Sequence, residues 1–282
     1  MDQWFEEESY HNQLGLKVKI KSVLHEEQSD WQKIEVLDTH ALGKLLLLDG
    51  KTMVSQVDEF IYHEIMGHIP NMINPNAKKA LIIGGGDCGI VREMVKHPNL
   101  EQIDLVEIDE RVVEVSKIYF PECTSGMSDP RVNLKCTDGI KFIQGKKNQY
   151  DIVIIDSTDP EGFAEGLFST EFYQQVYESL TDNGIMMNQT ENPILDEYDI
   201  GKVYQNMRKI FPVVDAFTAP MIIYPGVYWS FGFSSKKFLA TQIDSAKESW
   251  LNNENLKLKW YNTDWHRGAN KLPNIVKSRL GL

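Results

Sequence analysis

The sequence predicts an α/β fold, a doubly wound parallel sheet preceded by a small antiparallel β-sheet, on three observations. Residues 79–89 read Lys-Ala-Leu-Ile-Ile-Gly-Gly-Gly-Asp-Cys-Gly. The apolar run from Ala80 to Ile83 is long enough for one buried strand, and the glycines end it in a turn that a ligand can approach closely. Val91, Met94 and Val95 then recur at helical spacing. From residue 80 onward, short apolar runs alternate with helical segments, the pattern of a parallel sheet. Before that point the apolar period is two.

Residues 1–60 read as a β domain. Its strands are Leu16-Lys-Val-Lys-Ile-Lys, Trp31-Gln-Lys-Ile-Glu-Val-Leu and Lys44-Leu-Leu-Leu-Leu-Asp, with Asp49-Gly50 as a turn. Residues 61–282 are expected to form the larger domain and a C-terminal tail. A helix over 58–72 joins the two and ends by Pro75. Its His63 and His68 are five apart and face different sides, whereas a zinc pair needs four, so no metal site is expected. Parallel strands follow at 80–83, 102–107, 132–136, 151–155 and 184–188. A helix at 198–211 leads to a hairpin of strands 213–218 and 228–234, and residues 239–282 read as a helix with an amphipathic tail. Five alternating strands and a terminal hairpin are the parts of a methyltransferase-type, Rossmann-like fold.

The 41 acidic and 29 basic residues give a net charge of −12. That disfavours nucleic acid and anionic membrane as partners and favours cations. No run reaches the roughly 20 apolar residues of a membrane span. The acidic start is no secretory signal. Cys88, Cys123 and Cys136 stand in no metal or disulfide spacing, so a reducing cytoplasm is expected.

Ligands of such sheets bind beyond the carboxyl ends of the strands. Four proposed strands carry an acid there: Asp87 after the first, Glu107 closing the second, Asp138-Gly139 after the third, and Asp156-Ser-Thr-Asp159 after the fourth. Glu107 lies about 20 residues past the glycines, where a ribose-diol carboxylate is expected. Asp138 reads as readily as a helix cap. Asp87 repels a phosphate, so a cation is expected beside it and a pyrophosphate ligand is not. Between Lys147 and Lys202 there is no lysine or arginine but twelve acids, a field that would steer a polycation inward.

These residues resemble the spermidine synthases, or polyamine aminopropyltransferases, over nearly the whole chain. The resemblance rests on Ser29-Asp-Trp-Gln32, Asp58-Glu-Phe-Ile-Tyr-His-Glu64, Leu81-Ile-Ile-Gly-Gly-Gly-Asp87, Val106-Glu-Ile-Asp109, Asp156-Ser-Thr-Asp-Pro160 and Tyr224-Pro225. It implies transfer of an aminopropyl group from decarboxylated S-adenosylmethionine, a co-substrate, to putrescine, with methylthioadenosine left behind and no cofactor. It implies Asp156 as general base. Asp159, Tyr62 and Tyr224 would handle the diamine, with Gln189 and Glu191 as further contacts. Gln32, His63, Asp87, Glu107, Asp138 and Gly139 would handle the donor. A homodimer or homotetramer is implied, assembled with help from the N-terminal sheet and the tail.

The chain departs from the family pattern at Cys88, where glycine is usual, at Phe163, where proline is usual, and at Asn192, where serine is common. Ser157 to Phe168, with Gly162 and Gly166 as hinges, is expected to act as a lid. Two other readings share the fold. A methyltransferase must accommodate a substrate carboxylate, which Asp87 opposes, and a non-catalytic relative would more readily have lost Asp156 or Asp159.

Overall fold

The computed structural model describes residues 3–10, 13–160, 162–195, 198–254 and 256–282, and all of Phe163 but its side chain. The N-terminal sheet has five antiparallel strands in sequential order: β1 (Gln3–Ser9), β2 (Leu14–Gln28), β3 (Lys33–Thr39), β4 (Lys44–Leu48) and β5 (Lys51–Ser55). The turn at Asp49-Gly50 closes the β4–β5 hairpin, with both residues at positive φ as a two-residue turn of this kind requires. Sequence patterning missed β1, an acidic segment whose partner, β2, is itself largely exposed. It also stopped β2 short, because irregularities after Ile20 and Val23 interrupt the alternation.

Both faces of this sheet are used. Ile34, Val36, Leu46 and Val54 pack on Val112, Val115 and Phe120. Val18, Leu37, Leu45 and Leu47 pack with Ile223. The small sheet is therefore packed on both faces against the larger domain, through residues 112–120 and Ile223.

Helix α1 (Glu59–Ile73) runs through Pro70 and stops at Asn74, one residue before Pro75. The larger sheet comprises β6 (Lys79–Gly84), β7 (Gln102–Glu107), β8 (Val132–Cys136), β9 (Tyr150–Asp156), β10 (Leu180–Gln189), β11 (Val213–Pro220) and β12 (Tyr228–Ser235). The spatial order is β11-β12-β10-β9-β6-β7-β8. Strands β6 to β10 are parallel, and the hairpin inserts β12 antiparallel to β10. Order reverses between β6 and β9, which makes their carboxyl ends the switch point where ligands bind.

Helices cover both faces. They are α2 (Gly89–Met94), α3 (Glu110–Tyr119), α4 (Gly139–Ile143), α5 (Thr170–Ser179), α6 (Ile200–Ile210), α7 (Ser245–Asn253), α8 (Thr263–Ala269) and α9 (Asn274–Leu280). Ala80 and Ile82 face α1, α2 and the tail, while Leu81 and Ile83 face α5, α6 and α9. That two-sided burial explains why β6 reads as a continuous apolar run.

The tail is three helices rather than the helix and amphipathic extension expected. It is tied down by Glu64 of α1, whose buried carboxylate accepts hydrogen bonds from the backbone N–H groups of Lys259 (2.9 Å), Trp260 (2.8 Å) and Tyr261 (2.7 Å). Glu64→Gln leaves one acceptor oxygen where two are used and brings an amide donor against donors. It should cost about 1.5–3 kcal/mol and speed hydrogen exchange at residues 259–261. Unchanged exchange there would show that aromatic packing alone holds the tail.

Candidate functional site

The strand ends meet at one residue without a side chain. Gly84 ends β6 at φ +80°, and a Cβ there would lie 1.9 Å from the backbone oxygen of Asp156, the last residue of β9. The Gly85 N–H donates to that same oxygen at 3.0 Å. The glycine turn and Asp156 are thereby locked side by side.

Every residue expected to handle a ligand lines one cavity at this point, from Gln32, Tyr62 and His63 through Asp87, Glu107, Asp138 and Gly139 to Asp156, Asp159, Gln189, Glu191 and Tyr224. Asp156 Oδ1 accepts from the Tyr62 hydroxyl at 2.6 Å, and its Oδ2 is buried without a partner. Burial and the charge of Asp87 push the Asp156 carboxyl up to about 7, against the opposing pull of Tyr62 and His63. Glu107 accepts from the Asp109 N–H at 2.9 Å, yet burial lifts it to about 7 as well. Tyr224 donates to the Met53 carbonyl and packs edge-on to Tyr62. Gln189 donates to the Ser157 carbonyl, and Glu191, at φ +85°, donates its N–H to Gln189.

Four of these residues are already engaged within the protein: Asp87 with the cation expected beside it, Asp138 in the helix cap expected of it, and His63 and Gln32 with other side chains. Asp87 already has its cation: His63 Nε2 lies 2.9 Å from Asp87 Oδ1, and Gly89 N–H donates to the same oxygen at 2.7 Å. His63 therefore does not face the cavity as a free ring. Its other nitrogen, Nδ1, lies 2.6 Å from Glu59 Oε2. Burial favours the neutral ring, but the two flanking carboxylates outweigh it and raise His63 to about 10. The imidazolium in turn holds Asp87 below its ordinary value and, with Arg92, brings Glu59 to about 2. A Cβ on Gly89 would come within 2.1 Å of the His63 ring, so only glycine lets the ring lie under the turn. Gln32, expected at the donor, lines the cavity wall but spends its amide on Asp109 Oδ2 (3.0 Å), beside Ser29 (2.6 Å). Asp138 caps α4 through Ile140 N–H at 2.9 Å.

Glu59, His63 and Cys123 approach closely enough to hold a metal ion. The Arg92 guanidinium occupies both Glu59 oxygens (3.0 and 2.8 Å), and burial keeps the Cys123 thiol protonated. The cluster is an ion-pair network.

The acidic stretch is divided by the fold. Asp156, Asp159 and Glu191 line the cavity. Asp151 instead accepts from the Lys78 and Lys79 N–H groups, and Asp199 caps α6. Asp196, Glu197 and Glu161 lie outside the described residues. Residues 162–168 form a 3-10 turn whose Ala164 and Leu167 line the cavity, as do Ser157 to Asp159. The Phe163 side chain lies outside the described residues. Cys88 takes a left-handed conformation (φ +67°) that a glycine would adopt without steric cost, and its buried thiol is pushed up.

Sequence reasoning missed the contribution of the N-terminal sheet. Glu7, Ser9, Tyr10, Lys51 and Thr52 line the cavity, and buried Glu7 accepts from Thr52 N–H at 2.8 Å. The seam is sewn to the β11–β12 turn by Thr52 to the Ile223 carbonyl (2.8 Å) and by Asp58, which accepts from Ile222 and Ile223 N–H. It also missed Glu59 and Arg92. The Glu-x-x-x-His spacing on one helix was a usable signal for Glu59.

The sequence matches the family model described as spermine/spermidine synthase domain over residues 59–245, and that of the spermidine synthase tetramerisation domain over residues 3–64. It is 45% identical to the polyamine aminopropyltransferase of Alkaliphilus metalliredigens, covering 99% of this chain and 98% of that one. It is 42% identical to the protein of that name from Clostridium perfringens over the same shares. A crystal structure of spermidine synthase in complex with the transition-state analogue AdoDATO superposes with a TM-score of 0.94 at 38% identity, covering 99% of this chain and 95% of that one. Spermidine synthase from Thermotoga maritima superposes at 0.92 with 38% identity, covering 99% and 94%.

The His63 pair makes a stability prediction with a definite sign. A histidine raised to about 10 contributes stability that is fully present below its ordinary value near 6.5 and lost as pH rises through 10. His63→Gln leaves two buried carboxylates short of a counter-charge. It should cost about 3–5 kcal/mol at pH 6.5, with the deficit narrowing toward pH 10. A deficit independent of pH, in denaturant unfolding at several pH values, would show that His63 is neutral in the fold.

Proposed function

The chain belongs to the spermine/spermidine synthase family and is an aminopropyltransferase; on that ground we propose that it transfers the aminopropyl group of decarboxylated S-adenosylmethionine to putrescine, with Asp156 as general base. The observation that carries this reading is the unpartnered, buried Oδ2 of Asp156 beside the glycine turn. A carboxylate in that position can take one hydrogen bond from an incoming ammonium and then its proton.

The magnitudes favour that role. A diamine nitrogen resembling lysine has a pKa near 10.4, about 6.5 units above an ordinary aspartate, so proton transfer between them costs roughly 9 kcal/mol. Raised to about 7, Asp156 narrows that gap to about 3.4 units, or roughly 5 kcal/mol. Shedding water as the site closes narrows it further. The freed amine attacks the methylene bonded to the sulfonium sulfur. A carbon–nitrogen bond forms, the carbon–sulfur pair returns to sulfur, and neutral methylthioadenosine leaves. Positioning of the two substrates supplies much of the acceleration.

Glu107 would accept hydrogen bonds from the ribose diol, and Asp138 and Gly139 would border the base. Asp159, Gln189, Glu191 and Tyr224 would hold the diamine, with Glu7 contributing further negative charge. Residues 157–168 would close over both ligands. Assembly through the N-terminal sheet, as a dimer or tetramer, and a cytoplasmic setting complete the reading. Among the described residues no helix is long and apolar enough to cross a membrane.

Incubation of the purified protein with decarboxylated donor and putrescine should yield spermidine and methylthioadenosine in equal amounts. Absence of both products would overturn the assignment. Asp156→Asn should lower turnover by about 10²-fold or more while donor binding survives, and wild-type kcat/KM for putrescine should fall as pH drops through 7. Near-normal turnover of the variant at neutral pH would remove Asp156 from the role of base.

Asp87 should choose between donors. Its two contacts both fall on Oδ1. Oδ2 would receive the donor's ammonium, a charge-assisted bond worth about 1.5–3 kcal/mol, and repel the carboxylate of intact S-adenosylmethionine. Calorimetry on Asp87→Asn should show weaker binding of the decarboxylated nucleoside and unchanged or tighter binding of S-adenosylmethionine. Equal weakening of both would reduce Asp87 to a turn residue.

A further inference from the structure

From the cavity wall inward, charges alternate in sign from one residue to the next. Asp87 meets His63, His63 meets Glu59, and Glu59 meets Arg92 through both guanidinium NH groups at 3.0 and 2.8 Å. Arg92 Nε continues to Glu93 at 2.7 Å, and the other Glu93 oxygen meets His68 Nε2 (2.9 Å) and Lys96 Nζ (2.6 Å). Arg92 sits in α2, immediately past the glycine turn, and does not line the cavity. Other groups face His63 as well: Asp156 from the end of β9 acts on it through space, and the Tyr62 ring stands edge-on at 5.8 Å. The Cys123 thiol approaches from the turn after α3.

We propose that Arg92 and Glu59 are positioning residues for the donor subsite: the guanidinium neutralises Glu59, so the His63 imidazolium stays committed to Asp87, and Asp87 stays ionised with one oxygen free for the donor's ammonium. This rests on the reading of the cavity as an aminopropyl-donor site. The charge count makes the case. With Arg92 present, Asp87 and Glu59 are matched by His63 and the guanidinium. Without it, two carboxylates share one imidazolium in a buried space. One of them must then take up a proton or the ring must swing toward Glu59. Glycine at position 89 leaves the ring under the turn with little room to compensate.

The test is the pH dependence of donor KM in the full-length protein. In Arg92→Gln, donor KM should rise about tenfold from pH 8 to pH 6 beyond any change in the wild type, as expected when a carboxylate titrates within that range. The kcat should change less. Arg92→Lys, which keeps the charge but loses the fork, should restore most of the wild-type slope. The double variant Glu59→Gln/Arg92→Gln removes one charge of each sign and should restore it also, whereas a purely architectural role predicts that the second substitution adds damage. A wild-type slope in Arg92→Gln, or a double variant worse than either single one, would overturn the proposal. If Arg92→Gln does not fold, the imidazole nitrogen titration of His63 in the wild type decides. Titration near 6.5 sinks the proposal, and protonation persisting past pH 9 sustains it. That readout is independent of turnover, so a wild type without aminopropyl transfer would count against the proposed function alone.

Discussion

Strands β6 and β9 can run side by side to their last residues only because Gly84 has no side chain. A Cβ at that position would lie 1.9 Å from the Asp156 carbonyl oxygen, and the rest of the site follows from its absence. It places the turn that carries Asp87 next to the strand end that carries Asp156. Two carboxylates are thus forced together in a cavity that also contains Glu107. Coulomb repulsion between such groups grows steeply as water is excluded.

The protein resolves that crowding in two different ways. Asp87 is given a fixed partner in His63 and stays ionised. Asp156 is given only a neutral phenol and rises toward neutrality. Neighbouring acids with divergent environments acquire divergent roles, one a permanent anion and the other a group that exchanges its proton near neutral pH. The division depends on Arg92, which does not line the cavity, since His63 can serve Asp87 only while Glu59 is satisfied by the guanidinium.

Much of this was legible in the sequence where burial is two-sided. Strand β7, buried along its length, occurs with the expected bounds; β8 does so as well, although it is an edge strand without a buried residue. The acids at four strand ends do converge on one cavity. The same patterning failed at β1, whose acidic residues do not advertise a strand, and with it went the part of the cavity wall built by Glu7, Tyr10 and Thr52. The cation beside Asp87 was anticipated from charge but not located, because His63 comes from a helix 24 positions earlier whose register against the glycine turn is a tertiary fact. The twelve acids between Lys147 and Lys202 misled in the opposite direction. Of those described, Asp156, Asp159 and Glu191 line the cavity, whereas Asp151 and Asp199 are not among its lining residues and serve as backbone acceptors.

The two groups near neutrality give the empty cavity a chemical reservoir. Burial and neighbouring acids raise Asp156 and Glu107 to about 7, so both exchange protons with water near neutral pH, and a cation seated beside Asp156 would favour its ionised form. Capture of a cationic ligand there would be coupled to proton release. The heat of that binding would include the ionisation enthalpy of whatever buffer absorbs the proton, and would differ between buffers of equal pH.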